Sequence, residues 1–209
     1  MTFQQENSGG IEKKFLGEMK VEILKQQWLL RNFFHIEEVE VRFEKFDGSM
    51  SAPVHRLHLE RGEASGILLL NTDQKTLVLV KQFRYGAYTT GEGWLTEIAT
   101  GKIDEGEKPE EAAKREALEE TGYIIENLQF INRCFSMPGG SSERLWLYYA
   151  EVNNSMQSGK GGGVSSEHED IQIVEIPVSE IKKQLANITD AKTIIALQWW
   201  LLNQDSVAQ

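Results

Sequence analysis

The chain has 209 residues, 40% of them hydrophobic and 26% charged, with a formal net charge of −10. That size and balance fit one globular domain with at most a small appended element, and the acidic surface argues against non-specific nucleic-acid binding, which needs clustered cations facing phosphates. It leaves room for a phosphorylated small molecule, because a metal ion can stand between carboxylates and phosphates.

Met1 to Lys14 reads as a polar tail with no apolar run of signal-peptide length. No segment offers the roughly 18 consecutive apolar residues of a membrane span, so no membrane association is expected. Cys134 has no partner for an internal disulfide, which fits a reducing cytoplasm, and it reads as a small buried apolar residue. Trp28 to Phe46 mixes aromatic, β-branched and charged residues, and Glu37 to Phe43 alternates as a half-buried strand would. Asp47-Gly48 signals a hairpin turn, and Val54 to Glu60 alternates again as the returning strand. Ser65 to Leu70 and Leu77 to Phe83 are apolar strands joined through Asn71-Thr72-Asp73. A helix is expected over Pro109 to Thr121, with Pro109 in its first turn, Glu110 and Glu111 at its positive end and Gly122 as a left-handed cap. Strands follow at Ile124 to Cys134, Arg144 to Val152 and Ile171 to Ile176, with a mobile Gly/Ser-rich loop from Asn153 to Ser166. Ser179 to Ala186 and Ala191 to Asn203 read as helices. Strands, helix, strands, helices in that order predict an α+β or layered α/β/α arrangement.

The informative segment is Gly101 to Tyr123. Glu116, Glu119 and Glu120 stand at i, i+3 and i+4, so they share one helix face with Cβ atoms roughly 5–6 Å apart. Like charges that close repel, and a helix that tolerates them has either open solvent or a cation there. Magnesium suits such a place, since it takes oxygen ligands and bridges to substrate phosphates. A solvated acidic face is the alternative for the helix alone. The glycines that bracket it, Gly101 before the loop and Gly122 after the helix, are not needed merely to solvate a surface.

The segment resembles the Nudix box: Gly101, Glu107, Arg115, Glu116, Glu119, Glu120 and Gly122 all fit, and only Ala117 and Tyr123 depart, at packing positions. The resemblance implies a Nudix fold, a mixed β-sheet sandwiched between α-helices, with the box as loop–helix–loop. It implies Glu116, Glu119 and Glu120 as metal ligands, joined by the carbonyl of Thr100. It casts Arg115 as the partner that orients a carboxylate and Glu107 as the anchor of the loop.

From about Arg61 onward the chain is similar to the Nudix hydrolases that cleave ADP-ribose and to those that cleave GDP-mannose. Ser136 to Arg144, with Pro138 and Glu143, resembles the proline-containing loop of that group, and Arg84 and Arg61 match arginine-bearing segments whose guanidinium groups contact substrate. Glu167-His168-Glu169-Asp170 resembles an acidic loop that brings a catalytic glutamate to the metals. Glu167 and Glu169 are both candidates for general base, Glu169 also for metal ligand, while His168 reads as a loop residue. Gly159 to Gly163 could serve that loop as a hinge or be a passive linker, and the helix after Asp190-Ala191-Lys192-Thr193 looks like both groups.

Together these readings imply a cytoplasmic, Mg2+-dependent hydrolase (Mn2+ as a substitute) that cleaves the pyrophosphate of a nucleoside diphosphate sugar. ADP-ribose would give AMP and ribose 5-phosphate, and GDP-mannose is the alternative substrate. Residues 1–60 are expected to form a tail and antiparallel strands through which two copies make a homodimer, with residues 61–209 as the hydrolase domain.

Overall fold

A computed structural model describes residues 19–167 and 169–207, without the side chains of 167 and 205–207. The tail Met1 to Lys14 and His168 lie outside the described residues. The chain divides into two compact units, Met1–Leu59 and Glu60–Gln209.

In the first unit, β1 (Val21–Arg31), β2 (His35–Phe43) and β3 (Val54–Glu60) form a sheet in that order. The β1–β2 pair is antiparallel, with register shifts between Ile23 and Lys25 and between Trp28 and Leu30. Every residue of β1 is exposed. Its sequence lacks the alternation that marks β2, and no strand is read over Val21–Arg31 from sequence. Asp47-Gly48 turns the chain as expected: Asp47 accepts from the backbone N–H and hydroxyl of Ser49, and Gly48 sits at φ 81°.

The second unit is built on β4 (Glu63–Asn71), β5 (Thr76–Phe83), β6 (Trp94–Glu97), β7 (Ala99–Lys102), β8 (Gln129–Phe135), β9 (Arg144–Val152) and β10 (Gln172–Pro177). The main order is β10-β5-β4-β9-β8, with β4 and β9 parallel and the other pairs antiparallel. Asn71 closes the β4–β5 turn: its side-chain oxygen accepts from the N–H groups of Asp73 and Gln74. Beyond that turn the two strands part. β5 pairs with β6 and β4 pairs with β7, so the chain over Trp94 to Lys102 fills the wedge between them.

The central strands are buried on both faces, and successive residues enter two different cores. On one side Leu68, Leu77, Leu79, Leu147 and Tyr149 pack against Ile181 of α3 (Ile181–Gln184) and Ala196, Leu197 and Trp200 of α4 (Ala191–Val207). On the other, Ile67, Leu69, Val78, Tyr148 and Ala150 pack against Ala113 of α2 (Pro109–Glu116) and Ala117. This is the expected α+β sandwich: a mixed sheet between helices.

Four local expectations are corrected. The helix from Pro109 stays α-helical only to Glu116; Ala117–Thr121 widens into a π turn, with the Thr121 hydroxyl donating to the Ala117 carbonyl. The strand expected from Ile124 begins at Gln129, because Ile124 instead donates its N–H to Met156. The helix expected over Ser179 to Ala186 is one α-helical turn between two 3-10 turns. The supposed mobile loop after Asn153 opens with an ordered 3-10 turn, Asn154–Met156, capped by the Asn153 side chain, and its glycines are hydrogen-bonded to the end of the box helix.

One buried bond ties the wedge to α4. Between β6 and β7 the N–H of Ile98 donates to the hydroxyl of the fully buried Thr193, at 2.8 Å, and that hydroxyl donates to Asp190 at 2.6 Å. Thr193→Val keeps the volume and strands the Ile98 N–H. It is expected to cost about 1–3 kcal/mol in urea unfolding; wild-type stability would overturn this account of the junction.

Candidate functional site

The wedge sets three functional groups in place. Arg84 follows directly on β5 and donates from Nε and Nη2 to the two carboxylate oxygens of Glu97, at 3.0 and 2.8 Å. Glu97, the last residue of β6, is 1% exposed. Burial works against its ionised form, yet the Arg84 hydrogen bonds and the Lys192 charge outweigh it and hold its carboxyl below the ordinary range. Lys192, at the start of α4, bridges Glu97 and Asp190 at 2.8 Å each. Asp190 in turn accepts the Thr193 N–H at 3.0 Å as the helix cap.

β7 then lays Thr100 and Gly101 against the box helix. The Thr100 N–H donates to a Glu120 oxygen at 3.1 Å. A Cβ on Gly101 would overlap the Glu116 carboxylate, so a side chain there would displace that carboxylate from its present position. Arg115 holds the loop and helix together. It donates from Nε and Nη2 to the two oxygens of Glu107 at 3.0 and 3.1 Å, from Nη2 to the Lys102 carbonyl at 2.9 Å, and from Nη1 to Glu116 and Glu119 at 2.6 and 3.0 Å. The Arg115 bonds hold the Glu107 carboxyl below its usual range.

Two carboxyls are shifted the other way. Burial, only partly offset by Arg115, pushes Glu116 up to about 7. Burial and then the neighbouring Glu116 charge push Glu120 up to about 8. Glu169 adds to the repulsion at both.

A cleft of about 450 Å³ collects these parts. Of the residues picked out by sequence, Thr100, Glu116, Glu119, Glu169, Arg61, Arg84 and Glu143 line it. Arg61 lies 3.6 Å from Glu143. Glu120 is buried behind this surface, bonded to Thr100. Pro138 does not line the cleft; it sits in a turn closed by the N–H groups of Gly140 and Ser141 on the Met137 carbonyl. The Glu167 side chain lies outside the described residues, although its backbone ends a 3-10 turn. Sequence reading missed Glu97 and gave no role to Lys192 or Asp190. A carboxylate inside the otherwise uncharged Trp94 to Thr100 run was the available signal for Glu97.

The donor set suits a hard divalent cation. Among the described residues no three acidic, histidine or cysteine side chains already form a cage. The oxygen-only set, two buried carboxyls that repel each other, and the glycine that clears space beside Glu116 nevertheless fit a cation better than they fit one another.

The model described as the NUDIX domain matches residues 60–197. An ADP-ribose pyrophosphatase of Escherichia coli (strain K12) is 35% identical over 194 residues, covering 91% of this chain and 92% of the relative. A GDP-mannose pyrophosphatase of Cronobacter sakazakii is 33% identical over 184 residues, covering 86% and 94%. A solved structure described as an ADP compounds hydrolase superposes with a TM-score of 0.68 at 25% identity, covering 88% of this chain and 96% of that one.

The raised carboxyls predict a pH effect on stability. A carboxyl whose folded pKa exceeds its unfolded value of about 4.3 stabilises the fold below that pH. The contribution is lost as pH rises through about 7 for Glu116 and about 8 for Glu120. In a chelator, Glu120→Gln is expected to raise the melting temperature at about pH 8 and to change it far less at about pH 5. A variant no more stable than wild type at the higher pH would refute the assignment.

Proposed function

The chain belongs to the Nudix family, and on that premise we propose that it hydrolyses nucleoside diphosphate sugars, with ADP-ribose as the preferred substrate and AMP and ribose 5-phosphate as products. One observation carries the reading: Glu116, Glu119 and two arginine-bearing segments border one cleft, in a chain similar along nearly its whole length to pyrophosphatases of this kind. Similarity to GDP-mannose pyrophosphatases favours GDP-mannose as the second substrate. A nucleotide-sensing module without activity fits less well, because Glu116, Glu119 and Glu120 are all present.

In this reading Glu116, Glu119, Glu120, Glu169 and the Thr100 carbonyl would hold Mg2+, or Mn2+ in its place, and a cation bound there would supply charge neutralisation for the pyrophosphate and a more acidic water. Arg115 acts by position, fixing Glu116 and Glu119 on one side and the box loop on the other. Glu167 or Glu169 takes the proton from water as general base. The water oxygen bonds to one phosphorus, the bond from that phosphorus to the bridging oxygen breaks, and the other phosphate leaves. Arg61 and Arg84 stabilise the charge that develops on the phosphates. Arg84 enters that role already oriented, since one edge of its guanidinium is bound to Glu97. Glu143 completes the substrate side through its approach to Arg61, and Pro138, set back from the cleft, shapes the turn that leads to Glu143.

The same reading makes the protein a cytoplasmic homodimer with no nucleic-acid or membrane partner. The exposed apolar side chains Val21, Ile23, Trp28, Leu29 and Leu30 of β1 favour pairing of the N-terminal sheet with a second copy. Among the described residues no helix is long and apolar enough to cross a membrane.

Turnover of ADP-ribose and GDP-mannose, scored with and without Mg2+, tests the substrate. ADP-ribose is expected to be cleaved faster, only with metal, and about 100-fold or more slowly by Glu120→Gln. Full activity of that variant with Mg2+ present would sink the metal assignment. Light scattering tests the assembly: a mass near the 23.8 kDa of one chain would remove the dimer.

A further inference from the structure

The end of the box helix poses a problem that the Gly-rich segment solves. A helix leaves its last carbonyls without intrahelical donors, and here those carbonyls belong to the residues that carry the acidic side chains. The segment supplies the donors. Gly162 N–H donates to the Glu120 carbonyl at 2.9 Å and Gly163 N–H to the Glu119 carbonyl at 3.0 Å. Ser158 and Gly159 both donate to the Gly122 carbonyl, at 2.9 and 3.2 Å.

Three consecutive glycines make this approach possible. Gly161, Gly162 and Gly163 have φ of 62°, 102° and 84°, in the region L side chains rarely adopt. A Cβ on Gly161 would overlap the Glu120 carbonyl. The packing is as tight from the other side, where a Cβ on Gly122 would overlap the Gly159 carbonyl.

The same glycines hold the neck of the acidic loop. The Gly162 carbonyl accepts the Ile171 N–H at 3.3 Å, while its N–H is on Glu120, so one residue links the helix end to the residue that precedes β10. One position further, Val164 N–H donates to the Glu169 carboxylate at 3.0 Å. A Cβ on Gly163 would stand 2.6 Å from that same carboxylate oxygen and 2.7 Å from the Glu169 Cβ. The Glu169 side chain therefore lies where only a glycine at 163 leaves room for it.

We infer that Gly161 to Gly163 are positioning residues: they cap the box helix and, through Gly163 and the Val164 N–H, set the Glu169 carboxylate beside Glu116 and Glu120. The segment thus joins the helix end to the acidic loop and is not a spacer without contacts. The inference rests on the reading of Glu169 as a metal ligand.

Gly163→Ala, Glu169→Ala and the double variant test it, with calorimetric Mn2+ binding to the protein without substrate, melting temperature, and the Mg2+ concentration giving half-maximal turnover. Gly163→Ala is expected to weaken Mn2+ binding about tenfold or more and to raise the half-maximal Mg2+ in step, the usual scale for a group that orients a ligand. The double variant is expected to bind Mn2+ no more weakly than Glu169→Ala, because Gly163 acts through that carboxylate. Wild-type Mn2+ binding by Gly163→Ala, or a loss that adds in full to that of Glu169→Ala, would overturn the inference. Weak binding by Gly163→Ala with wild-type binding by Glu169→Ala would overturn it too. If Gly163→Ala does not fold, Gly163→Asn carries the same Cβ on a residue that tolerates positive φ, and the same outcomes apply. Failure of the metal reading itself has a separate mark: unchanged Mn2+ binding by Glu120→Gln.

Discussion

Negative charge held out of water is the constraint the catalytic unit is built around. Glu97, Glu116 and Glu120 are 1%, 7% and 1% exposed, and a buried carboxylate is costly unless something answers it. Each is answered differently. Glu97 has two cations, Arg84 and Lys192, and stays ionised. Glu116 has a share of Arg115, which also serves Glu107 and Glu119. Among the described residues, Glu120 has the Thr100 N–H and the more distant charge of Arg84. The compensated carboxylate supports the fold, and the under-compensated pair is where the proposed cation would bind.

The wedge in the sheet makes this distribution possible. Because β4 and β5 part after their turn, β6 and β7 can each pair with one of them, setting Glu97 behind the cleft-lining Arg84 and Lys192 and placing Thr100 on the cleft wall from the next strand. The junction at Ile98 is held by Thr193, and Asp190 both caps α4 and binds Lys192. A helix from the far end of the chain thus fixes the geometry of an arginine at position 84. This coupling joins the Asp190 to Thr193 segment to the cleft although it lies far from the box in sequence.

Glycine does the corresponding work on the helix. Gly101 gives Glu116 its space, and Gly122 with Gly161 to Gly163 lets two stretches of backbone approach closely enough to share hydrogen bonds. The composition of Asn153 to Ser166 suggests a loose loop, because glycine-rich sequence is flexible when nothing holds it. Here unsatisfied carbonyls at a helix end hold it, and that requirement cannot be seen within the segment's own residues.

Much was legible in the order of residues. The sequences of β2 and β3 alternate, so those strands could be read, although their burial does not follow the alternation; central strands form apolar runs, so β4, β5 and β9 could be read; and the spacing of Glu116, Glu119 and Glu120 placed three carboxylates on one helical face before any coordinates. Sequence by itself determined the chemistry-bearing helix and its loop, which depend on local period, and the resemblance of that contiguous motif to the Nudix box implied the class of reaction. Only the tertiary structure decided which charges meet: that Glu97 orients Arg84, that Lys192 joins them, that Pro138 stands back from the cleft, and that a glycine run braces Glu169. These pairings join residues far apart in sequence, and a buried ion pair or a close backbone approach is set by packing across the sheet, which no local pattern encodes.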